Sequence, residues 1–148
     1  MKSKIALFLA SMALAMTPFV SAQQTLPVVT TYKSPTCGCC SDWVKHMEEN
    51  GFTVKVHNAQ DMGKYKQMAN IPYGAGSCHT SFVGDYAVEG HVPASDVLKM
   101  LTEKPDFRGL TVPGMPMGSP GMEYGDRKDP YTTFAYQEDG SIKLFMSH

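Results

Sequence analysis

A mixed α/β domain is predicted by three observations. Apolar patterning alternates between strand-like and helix-like periods in the order β-α-β-α-β-β-α. Three of the four cysteines fall in Cys37-Gly38-Cys39-Cys40, between the first strand and the first helix. A stretch dense in Met, Gly and Pro, 109–125, then precedes a closing hairpin. The expected architecture is a central mixed sheet flanked by helices, with that loop and hairpin as a C-terminal addition.

Residues 1–22 read as a signal peptide. Lys2 and Lys4 form a positive start, Ile5 to Met16 is a short apolar run, and Val20-Ser21-Ala22 offers small residues for cleavage before Gln23. An uncleaved anchor is the alternative, but the run is short for a membrane span and no later run is long enough. The expectation is export to a bacterial periplasm, with residues 23–148 forming one domain and no membrane contact after cleavage. Processing leaves 11 basic against 14 acidic side chains, a charge of −3. That balance argues against nucleic acid, which calls for a basic face.

Pro27 to Lys33 is rich in β-branched residues and reads as a strand. Ser34-Pro35-Thr36 breaks it, and a helix begins near Cys39 or Cys40, with Trp43, Val44 and Met47 on its apolar face and Asn50-Gly51 as its stop. Phe52 to His57 alternates as a second strand. Asp61 to Asn70 is expected to be helical, with Met62, Tyr65, Met68 and Ala69 facing inward. Thr80 to Val83 and Tyr86 to Glu89 form a hairpin around Gly84-Asp85. A third helix is expected over Asp96 to Glu103, with Pro93 or Ser95 near its start. The span 109–125 has no periodicity and reads as a long functional loop or flap; Tyr131 to Tyr136 and Ile142 to Phe145 then make the closing hairpin. This order, with a C-x-x-C opening the first helix, follows the thioredoxin pattern.

Cys37 and Cys40 keep redox-pair spacing at a helix N-terminus, where the dipole favours a thiolate. Cys37 is the expected reactive thiol and Cys40 its partner. Cys39 adds a donor that simple dithiol exchange does not require. By the thioredoxin analogy the loop bearing Cys78-His79 comes up against this pair, and Cys78 then completes a four-thiol site or forms a resolving disulfide. A buried core thiol is the plainer reading of Cys78, and an ordinary histidine that of His79. His91 follows the hairpin toward the same side. Met115, Met117 and Met122 are spaced by Gly and Pro, off any helical stripe, and offer soft thioethers. Adaptable surface packing is their alternative role. Thiols, imidazoles and thioethers together favour copper over zinc. Two structural disulfides are the competing account of the cysteines, although bridging three crowded thiols closes only tiny loops. His46, His57 and His148 are assigned to no site.

Pro35-Thr36-Cys37-Gly38-Cys39-Cys40, Ser77-Cys78-His79-Thr80, Glu89-Gly90-His91-Val92-Pro93 and Gly109-Leu110-Thr111-Val112-Pro113-Gly114-Met115-Pro116 occur in that order behind a secretory signal. Together they resemble the CopG-like copper-resistance proteins of Gram-negative bacteria, over essentially the whole mature chain. The resemblance implies a periplasmic thioredoxin-like domain that interconverts Cu(I) and Cu(II). Cys37, Cys39, Cys40 and Cys78 would bind Cu(I), with bridging thiolates able to hold a multinuclear cluster. His91 and His79 would complete the shell, and Met115, Met117 or Met122 would close over it. Copper efflux or oxidase proteins are the implied partners. A passive copper chaperone and a thiol–disulfide oxidoreductase acting on proteins are the alternatives.

Overall fold

The structure, a computed structural model, describes residues 25–148; the expected signal peptide lies outside the described residues. Among the described residues, three helices accompany a seven-stranded mixed sheet in the order β2-β1-β3-β4-β5-β6-β7. Strand β1 (Val29–Lys33) lies parallel to β2 (Val54–Asn58) and antiparallel to β3 (His79–Val83). A tight turn returns β3 into β4 (Tyr86–Glu89), and β4 runs parallel to β5 (Gly109–Thr111). The final strands, β6 (Thr132–Tyr136) and β7 (Ile142–Ser147), extend the sheet antiparallel. No helix among the described residues is long and apolar enough to cross a membrane.

Helix α1 (Gly38–Glu49) starts one or two residues earlier than the apolar pattern suggests, with Cys37 as its N-cap. It buries Cys40, Trp43, Val44 and Met47. Trp43 is fully buried, and its indole Nε1 donates to the Val92 carbonyl at 2.9 Å. A buried indole needs such a partner, and this one ties α1 to the segment after β4. Met47 joins Val29, Val83, Val88, Val97, Met100 and Leu110 in the main core. Helix α3 (Ala94–Glu103) also starts earlier than expected, capped by Pro93.

Strand β2 forms where the alternation predicts it, at the edge of the sheet, with Val54 packed against the core and Val56 43% exposed. Two expectations need correction. Helix α2 (Met62–Met68) buries no side chain within its span, and Met68 is 54% exposed rather than inward. The helix is held instead by Tyr65 stacked on Tyr32 and by Lys66 paired with Glu89 of β4. The second correction is β5, which lies inside the span read as loop. Three residues carry no period; its strand character comes from pairing between β4 and β6.

Candidate metal centre

The sheet and α1 converge at one end. Lys33 ends β1, Ser34-Pro35-Thr36 turns the chain, and the Cys37 amide closes that turn on the Ser34 carbonyl at 3.1 Å. The first turn of α1 then presents Cys37, Cys39 and Cys40, of which Cys40 is fully buried and the other two are partly exposed. A disulfide joins Cys37 to Cys40, while Cys39 and Cys78 are free. The Cys39 sulfur lies 3.5 Å from that of Cys37.

Cys78 arrives by the register of the β3–β4 hairpin. Thr80 pairs with Glu89 and the Gly90 amide donates to the His79 carbonyl at 2.9 Å, so Cys78 and His91 leave the hairpin side by side. Their contact is direct: Cys78 Sγ is 3.0 Å from His91 Nε2 and 3.4 Å from His79 Nδ1. Gly90 lets the strands close here, since a Cβ on it would stand 2.4 Å from Ser77 and 2.9 Å from the Val112 carbonyl.

Two donor groups result. The sulfurs of Cys37, Cys39, Cys40 and Cys78 lie within 4.8 Å of one another, and so do the donor atoms of Cys78, His79 and His91. Cys78 belongs to both. Burial, reinforced by Cys39, pushes its thiol up to about 11. Burial also holds His79 well below the ordinary imidazole range and lowers His91, so both rings are neutral, the form that binds metals.

The tautomer of His91 follows from its neighbour. Its Nδ1 is 2.7 Å from the Pro120 carbonyl, which can only accept. Nδ1 therefore carries the proton, and Nε2 faces Cys78 with a free lone pair. A metal-ligating imidazole is commonly oriented by such a carbonyl. His79 is fully buried against Trp43, ring centroids 4.4 Å apart, and its Nε2 has no hydrogen-bond partner among the described residues. Neutral imidazoles, an orphaned buried nitrogen, two free thiols and, once the disulfide is reduced, two more make a donor set that fits a soft metal.

The C-terminal addition clasps this site. Its Gly121 packs so closely on the start of α1 that a Cβ would meet the Cys39 carbonyl at 2.6 Å and the Trp43 amide at 2.7 Å. Gly114 donates to the Gly76 carbonyl at 3.1 Å and accepts from the Ser77 hydroxyl, which ties the loop to the Cys78 segment. The span is thus an ordered strap with internal turns, such as the Met122 amide on the Ser119 carbonyl at 2.8 Å. Met115 stands 52% exposed on it, while Met117 and Met122 are half-buried.

Glu89 is a site residue that the sequence did not mark. Fully buried, it pairs with Lys66 and accepts from the Ser77 amide and the Thr80 hydroxyl, each at 2.7 Å, and so fastens the Cys78 loop to β4. An acid at the end of Tyr86-Ala87-Val88-Glu89 was the available signal. His46 and His148 serve packing: His46 Nε2 accepts from the Ala94 amide at 3.1 Å, and His148 pairs with Asp96 at 2.9 Å.

The buried imidazoles give a pH prediction for the copper-free protein. The folded values of His79 and His91 lie below the unfolded value, so the unfolded chain takes up more protons as pH falls through about 6.5. Their contribution is complete above that value and is lost below it. Glu89 acts oppositely: burial raises its carboxyl, with Lys66 and its hydrogen bonds pulling back. The expected net loss between about pH 7.5 and about pH 5.5 is roughly 1–2 kcal/mol by urea denaturation. Equal or greater stability at the lower pH would contradict it.

Four cysteine sulfurs and two imidazoles at one end of a mixed α/β sheet make a candidate soft-metal centre. Two solved structures of copper resistance protein CopG share the fold. Form 2 is 45% identical with a TM-score of 0.79, over 83% of this chain and 98% of that one. Form 1 is 46% identical with a TM-score of 0.77, over 82% and 98%. A family model described as "Protein of unknown function, DUF411" matches residues 75–122. No curated protein matches. The chain belongs to the CopG copper resistance protein family.

Proposed function

We propose that this chain is an exported copper-binding protein of copper resistance, and that its cysteines exchange electrons with the metal. The observation that carries this is the position of Cys78, shared between a four-sulfur group and a sulfur–imidazole group. Copper is the cargo and substrate. Cys37, Cys39, Cys40 and Cys78 bind Cu(I) through thiolates, with room for more than one ion through bridging sulfur, and His79 and His91 supply nitrogen. Met115, Met117 and Met122 are proposed as thioether donors on the strap. The domain, taken as residues 23–148, is read as thioredoxin-like, which the strand order β2-β1-β3-β4 and the cysteines at the start of α1 support. A signal peptide over residues 1–22 and a periplasmic location complete the reading, with copper efflux or oxidase proteins as recipients.

The redox step uses the Cys37–Cys40 pair. In the reduced chain the two thiols give one electron each to two Cu(II) ions, forming the S–S bond and releasing two protons and two Cu(I) ions. Cys39 and Cys78 remain to hold product. The sulfur of Cys39, 3.5 Å from that of Cys37, is near enough to take the metal over as the bridge forms.

Anaerobic Cu(I) titration of the reduced protein against a competing chelator tests the binding half. Cys39→Ser is expected to weaken binding about a hundredfold, the share of one ligand in four, while Cys37 and Cys40 still cycle with a small dithiol. Micromolar binding indifferent to every Cys→Ser change would reject copper. Mixing reduced protein with Cu(II) tests the redox half: one dithiol should vanish for every two Cu(I) formed. Binding without thiol loss would identify a passive carrier. Cycling with a protein dithiol but no copper binding would identify a thiol–disulfide oxidoreductase.

A further inference from the structure

Among the described residues, the buried carboxylates Glu89 and Asp96 each have a basic side chain as partner, whereas the buried Lys33, beside the sulfur cluster, has only backbone partners. Glu89 pairs with the Lys66 ammonium, and Asp96 with the His148 imidazole, an ion pair only when that ring is protonated. Lys33, only 6% exposed, has no carboxylate within 4.0 Å of its ammonium among the described residues. Its Nζ donates instead to two backbone carbonyls, Ser34 at 3.0 Å and Cys37 at 3.3 Å. A buried ammonium with only neutral acceptors is costly, and such a charge is usually paired. One of those carbonyls belongs to Cys37, a member of the sulfur cluster, whose cysteines are neutral as disulfide or thiol and anionic as thiolate or Cu(I)-thiolate.

We propose that Lys33 is the fixed counter-cation of the sulfur centre, favouring the thiolate and Cu(I)-thiolate forms over the disulfide. The geometry suits the role. Lys33 is the last residue of β1, where alternation turns it into the protein, and the turn through Pro35 brings the Cys37 carbonyl to its ammonium. The lysine adds its charge to the positive end of α1 at the same spot. Its effect on Cu(I) rests on the copper reading above; its effect on the dithiol does not.

The test separates charge from packing with two substitutions. Lys33→Gln keeps a donor and removes the charge, whereas Lys33→Arg keeps the charge. The first readout is equilibrium with glutathione, in which two thiols of the reagent convert the Cys37–Cys40 disulfide to two thiols and leave oxidised glutathione. Lys33→Gln is expected to shift this equilibrium about tenfold toward the protein disulfide, ~30 mV for a two-electron couple, with Lys33→Arg close to wild type. The second readout is Cu(I) affinity by chelator competition, expected to fall about tenfold in Lys33→Gln only, in line with substitutions around metal ligands. A wild-type glutathione equilibrium in Lys33→Gln overturns the proposal, and so does an equal shift in both variants, which would mean packing rather than charge. If Lys33→Gln does not fold, Lys33→Met takes its place under the same outcomes. A wild-type protein that binds no copper would end the copper reading, while the glutathione result would still judge Lys33.

Discussion

Cys78→Ser should lower Cu(I) affinity more than replacement of any other single cysteine. Cys78 is the one residue in both donor groups, so its loss removes a ligand from the sulfur cluster and separates that cluster from His79 and His91. A serine hydroxyl is a hard donor and a poor substitute for a thiolate toward Cu(I). On the scale of structural zinc sites, where four ligands bring about 10–16 kcal/mol, one ligand accounts for roughly a quarter, or a hundredfold and more in affinity. Folding should be little affected, because the side chain is only partly buried and nearly isosteric with serine. Chelator competition with the reduced variant gives the number. A double substitution adds a sharper check: Cys78 and His91 touch at 3.0 Å, so Cys78→Ser with His91→Ala should lose less than the two single losses combined. A loss within threefold of wild type would remove Cys78 from the centre.

How much of this was readable beforehand differs by element for physical reasons. Helix α1 announced itself through Trp43, Val44 and Met47 at helical spacing and through Asn50-Gly51 at its end. The β3–β4 hairpin was legible from Gly84-Asp85, and its register carries a consequence: pairing Thr80 with Glu89 sets Cys78 opposite His91. Strand β5 was not legible, because Gly-Leu-Thr has no period until β4 and β6 pair with it. The exposed face of β2 was hidden for the opposite reason. Its alternation is real, but the sheet ends there, and sequence does not say which strand is last. Lys33 and Glu89 were missed because pattern reading sends charges to the surface, while burial of a paired or hydrogen-bonded charge depends on partners distant in sequence. The Pro120 carbonyl that fixes His91 was the least visible of all, since a backbone acceptor leaves no side-chain signature. The strap was recognised as unusual from its Met, Gly and Pro content, yet nothing local tells that its Gly121 lies against α1.

That contact makes Gly121→Ala the second large effect. Gly121 adopts φ +84° and leaves no room for a methyl group, with backbone atoms of Cys39 and Trp43 inside 2.8 Å of the Cβ position. Left-handed backbone costs a non-glycine residue about 1–2 kcal/mol, and overpacking against rigid backbone adds about 1–3 kcal/mol. A loss of roughly 2–5 kcal/mol is therefore expected in urea denaturation. The strap can relieve the clash only by lifting from α1, and the Pro120 carbonyl, one residue away, lifts with it. His91 would then lose the acceptor that holds its proton on Nδ1 and aims Nε2 at Cys78. Cu(I) affinity should fall about 10–100-fold, the usual cost of losing a ligand's orienting partner. Gly125→Ala is the control: Gly125 is also left-handed, at φ +61°, but a Cβ there meets nothing within 4 Å. It should show the backbone cost alone and bind copper normally. If Gly121→Ala is no more harmful than Gly125→Ala in both measurements, the strap does not hold the site together. If it destabilises the fold but leaves Cu(I) affinity intact, the strap supports the domain and His91 is oriented by other means.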